Sequence, residues 1–345
     1  MNNIIKKYSK SSNFYIEAKQ ELFQNNDELL KAALKKNEKY CNQPIRKECK
    51  ICFNKLKKNP DFVSHKVPYV FCEQCNHLNG LYEDTRNFYD SLYTRNDGEE
   101  YSKDYKTGDY LQRTANIYAP KVDFLIESIP NIMNSSILDL GCGCGYFVNA
   151  ALDKNIDIVG FDVNRKMVDY GNSFINRIHG QEPLKFFNEV DIFESIKSQD
   201  AELISAIGVL EHMMDLTKFT NSYLASQSKY LYYSVPMFSM SAILENVFSE
   251  ILPRQLSEGH THLFTERSIN KFNQIIHSNS IAEWRFGTDI LDLYRSLKLN
   301  LIKNNSSEDL ISYFNSGFQE RIDDIQNLLD KNHFCSEIHC VVLKD

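Results

Sequence analysis

Short apolar runs alternate with amphipathic stretches from residue 136 onwards. The runs are bounded by polar residues or glycine, as is typical of strands, whereas the stretches between them have apolar residues at helical spacing. The pattern predicts strands at residues 136–140, 157–161, 184–188, 202–207, 229–235, 282–286 and 337–343. Strands that alternate with helices in this order form a doubly wound α/β sheet, so we expect a seven-stranded Rossmann-like fold.

The first 130 residues do not continue this alternation. Residues 14–40 place apolar positions among lysines and glutamates at roughly helical spacing, which predicts one helix in an N-terminal helical segment at 1–44. A polar, tyrosine-rich linker follows at 81–130 and is expected to be helical at 119–129. Lysines on such a helix are typical of a solvated face, although a nucleic-acid footprint has the same composition.

Three glycines at alternate positions follow the first predicted strand, in the sequence Asp139-Leu140-Gly141-Cys142-Gly143-Cys144-Gly145. Glycine allows a sharp turn there and lets a ligand lie against the backbone, because it has no Cβ atom. Asp162 follows the next predicted strand, 21 positions after Gly141, where an acid can accept hydrogen bonds from a ribose. The turn lacks the Gly-Lys-Ser/Thr of a phosphate loop and the last glycine of the dinucleotide fingerprint. We therefore expect a ligand-binding turn of another kind at this edge of the sheet.

Two CxxC pairs, Cys49-Lys50-Ile51-Cys52 and Cys72-Glu73-Gln74-Cys75, are separated by 19 residues. Each pair directs two thiolates at one ion, and two pairs at this separation can close a tetrahedral four-sulfur zinc site. The extended run between them suits the short strands of a zinc ribbon at 45–80. A closed site has no open position for catalysis, so we expect Cys49, Cys52, Cys72 and Cys75 to hold a structural Zn²⁺. His65 and His77 are ligands of second choice.

The glycine turn resembles the signature of class I S-adenosylmethionine-dependent methyltransferases, which reads Asp139-x-Gly141-x-Gly143-x-Gly145 in this chain. Gly208-Val209-Leu210-Glu211-His212-Met213 resembles the Val-Leu-Glu-His segment of the ubiquinone-methyltransferase-like branch. Over roughly residues 45–290, the chain is similar to zinc-ribbon enzymes that modify sugars and secondary metabolites. The resemblance implies a class I methyltransferase domain at 131–345 and the cofactor S-adenosylmethionine. It also implies methyl transfer to a small-molecule acceptor, above all a sugar, which can be nucleotide-linked or a cell-surface polysaccharide precursor, or a related metabolite.

The same resemblance implies which residues bind the cofactor. Asp162 would accept from the ribose hydroxyls, and Asp191-Ile192 would meet the adenine edge, although Asp191 can instead be a simple helix N-cap. A Tyr-x-x-x-Tyr pair followed by an arginine implies that Tyr105 and Arg113 close over the methionine end, where a guanidinium can grip both carboxylate oxygens. Surface tyrosines of a linker are the alternative interpretation of that stretch. The full expected set is Tyr105, Arg113, Asp139, Gly141, Cys142, Gly143, Gly145, Asp162, Val163, Asp191, Ile192 and Gly208.

Candidate catalytic residues lie on the acceptor side of this turn. His260 and His262 belong to a lid segment at 236–268, which follows the fifth predicted strand and would hang over the methyl group of the cofactor. Histidine titrates near neutral pH, so either residue suits a general base, and similar His-x-x-x-Phe stretches occur in sugar-modifying members of the branch. Glu211 and His212 are the rival base. A helical insertion at 289–333 is expected to serve the lid or the contact of a homodimer.

Composition and charge narrow the class of protein. The 345 residues are 42% hydrophobic and 25% charged, as in a soluble globular protein. Residues 1–60 are basic, but the whole chain carries a formal charge of −7, so the catalytic part is acidic and a nucleic-acid substrate is disfavoured. An RNA methyltransferase that grips phosphates with the ribbon and the basic N-terminus remains the alternative, and a non-enzymatic scaffold is a third. The sequence shows neither a signal peptide nor a membrane-spanning run, and nine cysteines fit reduced thiols, so we expect a cytoplasmic protein.

Overall fold

The computed structural model describes residues 4–18, 21–93, 110–256 and 260–345. Within these ranges, twelve strands form two sheets, and their bounds are Ile5–Tyr8 (β1), Phe62–Ser64 (β2), Val67–Phe71 (β3), Leu78–Gly80 (β4), Ser136–Leu140 (β5), Asp157–Asp162 (β6), Leu184–Phe186 (β7), Leu203–Ile207 (β8), Tyr230–Pro236 (β9), His262–Leu263 (β10), Ser278–Phe286 (β11) and Glu337–Lys344 (β12). The larger sheet has the order β1-β11-β12-β9-β8-β5-β6-β7, and the smaller has the order β10-β4-β3-β2.

The larger sheet confirms the predicted Rossmann-like α/β fold. β5 pairs in parallel with β6 on one side and with β8 on the other. The strands that follow β5 are therefore added first on one side of it and later on the other, so the strand order reverses at β5. β12 runs antiparallel between β9 and β11. Ligands of such sheets bind outside the carboxyl ends of the strands, at the point where the strand order reverses. The glycine turn after β5 therefore lies at the edge where a ligand is expected.

Helices cover both faces of this sheet. Among the described residues, their bounds are Asn13–Ala18, Glu21–Gln24, Asn26–Cys41, Arg86–Tyr93, Tyr110–Arg113, Ala119–Ser128, Tyr146–Leu152, Arg165–His179, Glu189–Ser198, Leu216–Ala225, Met240–Val247, Glu266–Ile275, Asp289–Lys303, Glu308–Phe318 and Ile322–Lys331. The last three occupy the segment for which a helical insertion was predicted. In the part of the chain that the structure describes, no helix combines the length and the apolar composition needed to cross a membrane.

The N-terminal segment differs from the single helix that the pattern predicts. Residues Ile5–Tyr8 form β1, which pairs in parallel with β11 and so extends the main sheet. The helical stretch is broken, and its longest helix begins at Asn26, whose side chain donates to the carbonyl oxygen of Glu250 and accepts from the amide of Leu252. Lys6 and Lys7 therefore belong to the edge of the main sheet.

The third predicted strand is also shorter than expected. β7 ends at Phe186, because the side chain of Asn188 accepts from the backbone amide of Asp191 and starts the next helix. Asparagine can hydrogen-bond to nearby backbone amides, which favours the start of a helix over continuation of the strand at this position.

The small sheet is continuous with the main body. Strands β2, β3 and β4 form the antiparallel ribbon, and the fourth strand, β10, comes from the segment predicted to be a lid. The ribbon cysteines belong to the same hydrophobic core as Leu138 of β5 and Ile204 of β8. This arrangement joins the ribbon rigidly to the carboxyl edge of the larger sheet.

Candidate active site

The turn after β5 requires glycine at three positions. Gly141, Gly143 and Gly145 have φ angles of 68°, 55° and 72°, in the left-handed region that side chains other than glycine rarely adopt. A Cβ atom added to Gly141 would lie 2.6 Å from the side chain of Val209, in the segment that follows β8. The turn is therefore packed directly against the Val-Leu-Glu-His segment.

Two buried carboxylates stand beside this turn. Asp162 accepts from the backbone amides of Gly143 and Asn164, each at 2.8 Å, and burial raises the pKa of its carboxyl group. Asp139 accepts from the hydroxyl of Ser205 at 2.7 Å, and burial raises its pKa to about 7. Asp162 thus fixes the shape of the turn and occupies the position predicted for a ribose-binding acid.

The helical segment that begins at Tyr110 covers the other side of the turn. The Tyr110 hydroxyl donates to the carbonyl oxygen of Cys144 at 3.0 Å. The guanidinium of Arg113 stands 5.3 Å from the ring centre of Tyr146, the first residue of the helix after the turn. Arg113 therefore lies next to the turn, as expected, whereas Tyr105, its predicted companion, falls outside the described residues.

The remaining residues expected to bind the cofactor have different surroundings. Asp191 is exposed in the first helical turn after β7, and it is Asn188 that caps this helix, so the alternative N-cap role does not fall to Asp191. Ile192 is 4% exposed and lies in the hydrophobic core. Val163 is half-buried against the same core. Gly208 has a φ of 66° and donates its amide to the hydroxyl of Ser234. Buried Cys142 and Cys144 are the residues between the glycines.

Three of the candidate catalytic residues come together. Glu211 and His212 lie on a 3-10 turn directly after β8, and His260 lies just before β10. One carboxylate oxygen and two imidazole nitrogens from these residues all lie within 4.8 Å of one another. His212 Nε2 is 3.9 Å from Glu211 Oε1, and the rings of His212 and His260 are 5.1 Å apart. The structure thus unites the two rival predictions, Glu211-His212 and His260, in one cluster.

Glu211 is the most buried member of this cluster. It is 5% exposed, and burial raises the pKa of its carboxyl group to about 8. Its Oε2 atom has no hydrogen-bond partner among the described residues. A buried polar atom without a partner is costly, so this oxygen indicates a site that a ligand completes.

His262, the other histidine predicted to act as the base, has surroundings different from those of His260. Its ring is fully buried, and its Nδ1 lies 2.8 Å from Nε2 of His77 in the ribbon. Burial holds the pKa of His262 well below its usual value, so the ring stays neutral. His77 in turn lies 3.2 Å from the hydroxyl of Ser268, which also rules it out as a ligand of the cysteine cluster. His262 therefore belongs to the contact between β10 and the ribbon.

Further charged residues lie near the site but belong to no sequence motif that would have identified them. Lys121 Nζ lies 4.0 Å from Glu337 at the start of β12, and the charges of both act on the carboxyl group of Glu211. Lys10 donates to the hydroxyl of Tyr15 at 3.1 Å, and burial lowers the pKa of Lys10 to about 8. These residues come from the N-terminus, from the helix before β5 and from the last strand. The one available signal was a lysine on the apolar helix at Ala119–Ser128.

The four ribbon cysteines form a compact cluster. The Sγ atoms of Cys49 and Cys75 are 3.6 Å apart, and those of Cys52 and Cys72 are 3.4 Å apart. All four Sγ atoms lie within 4.8 Å of one another. A zinc ion with bonds of about 2.3 Å to sulfur separates the thiolates of a tetrahedron by about 3.8 Å. The donor set and its spacing therefore fit the expected zinc.

Residues 110–274 match a family described as a methyltransferase domain. Among curated proteins, none matches the chain in sequence.

The structure is similar to solved structures of several methyltransferases. One is a SAM-dependent methyltransferase from Archaeoglobus fulgidus, with 14% identity over 71% of this chain and 99% of that chain and a TM-score of 0.43. Another is magnesium protoporphyrin IX methyltransferase from Synechocystis PCC 6803, with 10% identity over 74% and 97% and a TM-score of 0.44. A third is geranyl diphosphate C-methyltransferase from Streptomyces coelicolor A3(2), with 10% identity over 71% and 84% and a TM-score of 0.41. At these low identities and TM-scores, the three likenesses carry no argument about the acceptor of this chain.

Proposed function

We propose that the chain, whose residues 110–274 match a methyltransferase-domain family, uses S-adenosylmethionine to methylate a small molecule, most simply a sugar, which can be nucleotide-linked or a polysaccharide precursor, or a related metabolite. The observation that carries the proposal is the contact between the glycine turn and the segment with Glu211 and His212. A site for the cofactor and a cluster of proton-accepting groups thereby lie side by side.

The residues around the turn fit the cofactor. The positive φ angles at Gly141, Gly143 and Gly145 favour glycine. Because glycine has no side chain, a ligand can approach the backbone of the turn closely. Asp162 would accept from the ribose hydroxyls, and Arg113 would grip the carboxylate of the methionine part. When bound, the cofactor supplies a methyl group that the positive charge on its sulfur makes electrophilic.

The cluster of Glu211, His212 and His260 acts on the acceptor. A hydroxyl or an acidic C–H of the acceptor gives its proton to the cluster, with His260 as the first candidate for the base. The cofactor, held by Asp162 and Arg113, would supply its methyl group to the acceptor atom that has lost its proton, and the electron pair of the broken carbon–sulfur bond would stay on sulfur. Most of the rate enhancement comes from holding the two reactants in line, because the methyl group is already activated.

A small acceptor is favoured by what surrounds the cluster. Tyr15, from the N-terminal segment, lies close enough to Glu337 and Lys121 for their charges to act on its hydroxyl. His260 lies just before β10, which pairs with β4 of the ribbon. Two lysines of the basic N-terminal region, Lys6 and Lys7, lie in β1 at the edge of the main sheet, where Lys7 pairs with Glu127.

The ribbon is proposed to hold a structural Zn²⁺ through Cys49, Cys52, Cys72 and Cys75. All four positions would be filled by thiolate, so this ion takes no part in methyl transfer.

Transfer of a labelled methyl group tests the function. The full chain is incubated with S-adenosylmethionine labelled in the methyl group and with either a small-metabolite extract or total RNA, and the Gly143→Val variant serves as the control. We expect label in sugar-containing small molecules, and none with the variant. Label confined to RNA would establish the alternative function, and the absence of cofactor binding in calorimetry would overturn the proposal altogether.

A further inference from the structure

We propose that Glu211, His212 and His260 hold a divalent metal ion on the acceptor side of the site, separate from the zinc of the ribbon. This inference rests on the proposed function and specifies how the cluster acts on the acceptor. It assigns to one carboxylate and two imidazoles the role of ligands.

The spacing of the three groups is close to that of a bound ion. Ligand atoms at about 2.1 Å from a cation stand roughly 3.0–3.5 Å apart when they are neighbours in its coordination shell. In the structure, His212 Nε2 and Glu211 Oε1 are 3.9 Å apart, and all three ligand atoms fall within 4.8 Å. Side-chain rotations that draw the atoms together by about 1 Å would complete the set.

Glu211 supplies an independent observation. Its side chain is 6% exposed, yet its Oε2 accepts no hydrogen bond from any described residue. Among those residues, no lysine or arginine nitrogen lies within 4.0 Å of this carboxylate. A buried carboxylate with neither a hydrogen bond on one oxygen nor a close cationic side chain is expensive, and a metal ion would offset that cost.

The backbone that carries two of the ligands is fixed before any ion binds, so only their side chains have to rotate. The amide of His212 donates to the carbonyl oxygen of Val209 at 3.0 Å, which closes the turn. The carbonyl oxygen of Met213 accepts from Lys50 of the ribbon at 3.1 Å. Ligands that are held in this way lose little freedom on binding, which favours a specific site.

The donor set indicates the class of ion and of ligand. Two imidazoles and one carboxylate suit Mn²⁺, Fe²⁺, Co²⁺ or Zn²⁺ and leave coordination positions open. An oxygen of the acceptor would take an open position, where the cation lowers the pKa of a hydroxyl. The acceptor group is then a hydroxyl that, once bound to the cation, loses its proton to solvent water, and His260 would act as a ligand instead of as the base.

Binding of Mn²⁺ alone, followed by electron paramagnetic resonance, tests the site without an acceptor. Mn²⁺ prefers oxygen and nitrogen ligands and competes poorly for the four thiolates of the ribbon. We expect one Mn²⁺ per chain, and binding at least roughly 100-fold weaker in Glu211→Gln and in His260→Ala, because loss of a direct ligand should exceed the 10- to 100-fold effect of its supporting groups. His277→Asn, which changes an exposed histidine elsewhere, should bind Mn²⁺ as the unmodified chain does.

Calorimetry with S-adenosylmethionine on the same preparations separates the two levels of the argument. Unchanged cofactor affinity in Glu211→Gln shows that the variant is folded and that the loss of Mn²⁺ is local. No bound Mn²⁺ in the unmodified chain, or binding that persists in both variants, would overturn the metal site and leave His260 as the base. If the unmodified chain does not bind S-adenosylmethionine, the proposed function itself is wrong.

Discussion

Lys50 connects the cysteine cluster to the catalytic segment. Its Nζ donates to the carbonyl oxygen of Met213 at 3.1 Å and to Asp84 at 2.6 Å. Lys50 follows Cys49 in the first CxxC pair, and Met213 follows His212 in the cluster. The ribbon thus contacts the turn that carries Glu211 and His212 through a lysine that is only 8% exposed.

Replacing Lys50 by Met should lower kcat by about tenfold while changing the affinity for S-adenosylmethionine by less than about twofold. A hydrogen bond from a charged group contributes roughly 1.5–3 kcal/mol, and its loss allows Glu211 and His212 to shift relative to the acceptor. Steady-state kinetics and calorimetry measure the two quantities. Lys66→Met, which breaks an exposed pair with Glu38, is the matched control and should leave both unchanged. Equal losses of kcat in the two variants would show that the contact with Met213 does not matter.

Loss of one ribbon thiolate should remove the zinc. We expect Cys72→Ser to lower the melting temperature clearly, whereas the turnover of the chains that stay folded should change less. The reason is that a structural zinc contributes to folding and not to the chemical step. Elemental analysis and thermal unfolding measure these effects, and Cys41→Ser, outside the cluster, should retain the ion. An unmodified chain that contains no zinc, with a disulfide between the pairs, would contradict the assignment.

Gly143→Val should abolish binding of S-adenosylmethionine. The φ angle of 55° disfavours valine, and the new side chain would occupy the space where the backbone meets its ligand, with its Cβ 3.0 Å from the Met167 side chain. Gly180→Val is the matched control, since Gly180 has a φ of 70° and open space around it. The control should lose only about 1–2 kcal/mol of stability and keep its affinity for the cofactor. Calorimetric titration that gives equal affinities in the two variants would remove the turn from the binding site.

The central sheet and its turn could be predicted because both depend on local sequence. Strands such as Ser136–Leu140 are short apolar runs, and the left-handed angles at Gly141, Gly143 and Gly145 require the residue type that the sequence shows. β1 and β10 could not be predicted in this way. They contain four and two residues, and their pairing depends on distant strands rather than on any period in their own sequence.

The acceptor side was predictable only in part. Glu211, His212 and His260 stood out by residue type, but nothing in the sequence distinguished His260 from His262. The structure distinguishes them by the partner that each one meets, which for His262 is His77, 185 positions earlier. Lys10 and Glu337 reach the same region from opposite ends of the chain, so only the fold brings them together.

His260→Ala should reduce turnover by about 100-fold or more, with little change in cofactor affinity. The residue belongs to the cluster that we propose to act on the acceptor, and not to the glycine turn. His262→Asn should instead lower the melting temperature, because it removes a buried partner of His77, and should keep most of the turnover of the folded chains. Turnover assays with the identified acceptor decide between these outcomes. A large loss in His262→Asn together with near-normal turnover in His260→Ala would restore His262 as the base.

The free energy of unfolding of the cofactor-free chain should depend on pH through Asp139. Burial raises the pKa of this carboxyl group from 3.8 to about 7, so between these values the folded state binds a proton that the unfolded state has released. The stabilising contribution is therefore complete below about pH 4 and is lost as the pH rises towards 7.

Asp139→Asn removes this dependence, and its amide oxygen can still accept from Ser205. Relative to the unmodified chain, the variant should gain on the order of 4 kcal/mol between pH 4 and pH 7, at 1.36 kcal/mol for each pKa unit. Urea unfolding at pH 5 and at pH 7.5 measures most of this difference, with Asp157→Asn at the exposed start of β6 as the control. Parallel pH profiles for Asp139→Asn and the unmodified chain would show that burial does not raise the pKa of the Asp139 carboxyl group.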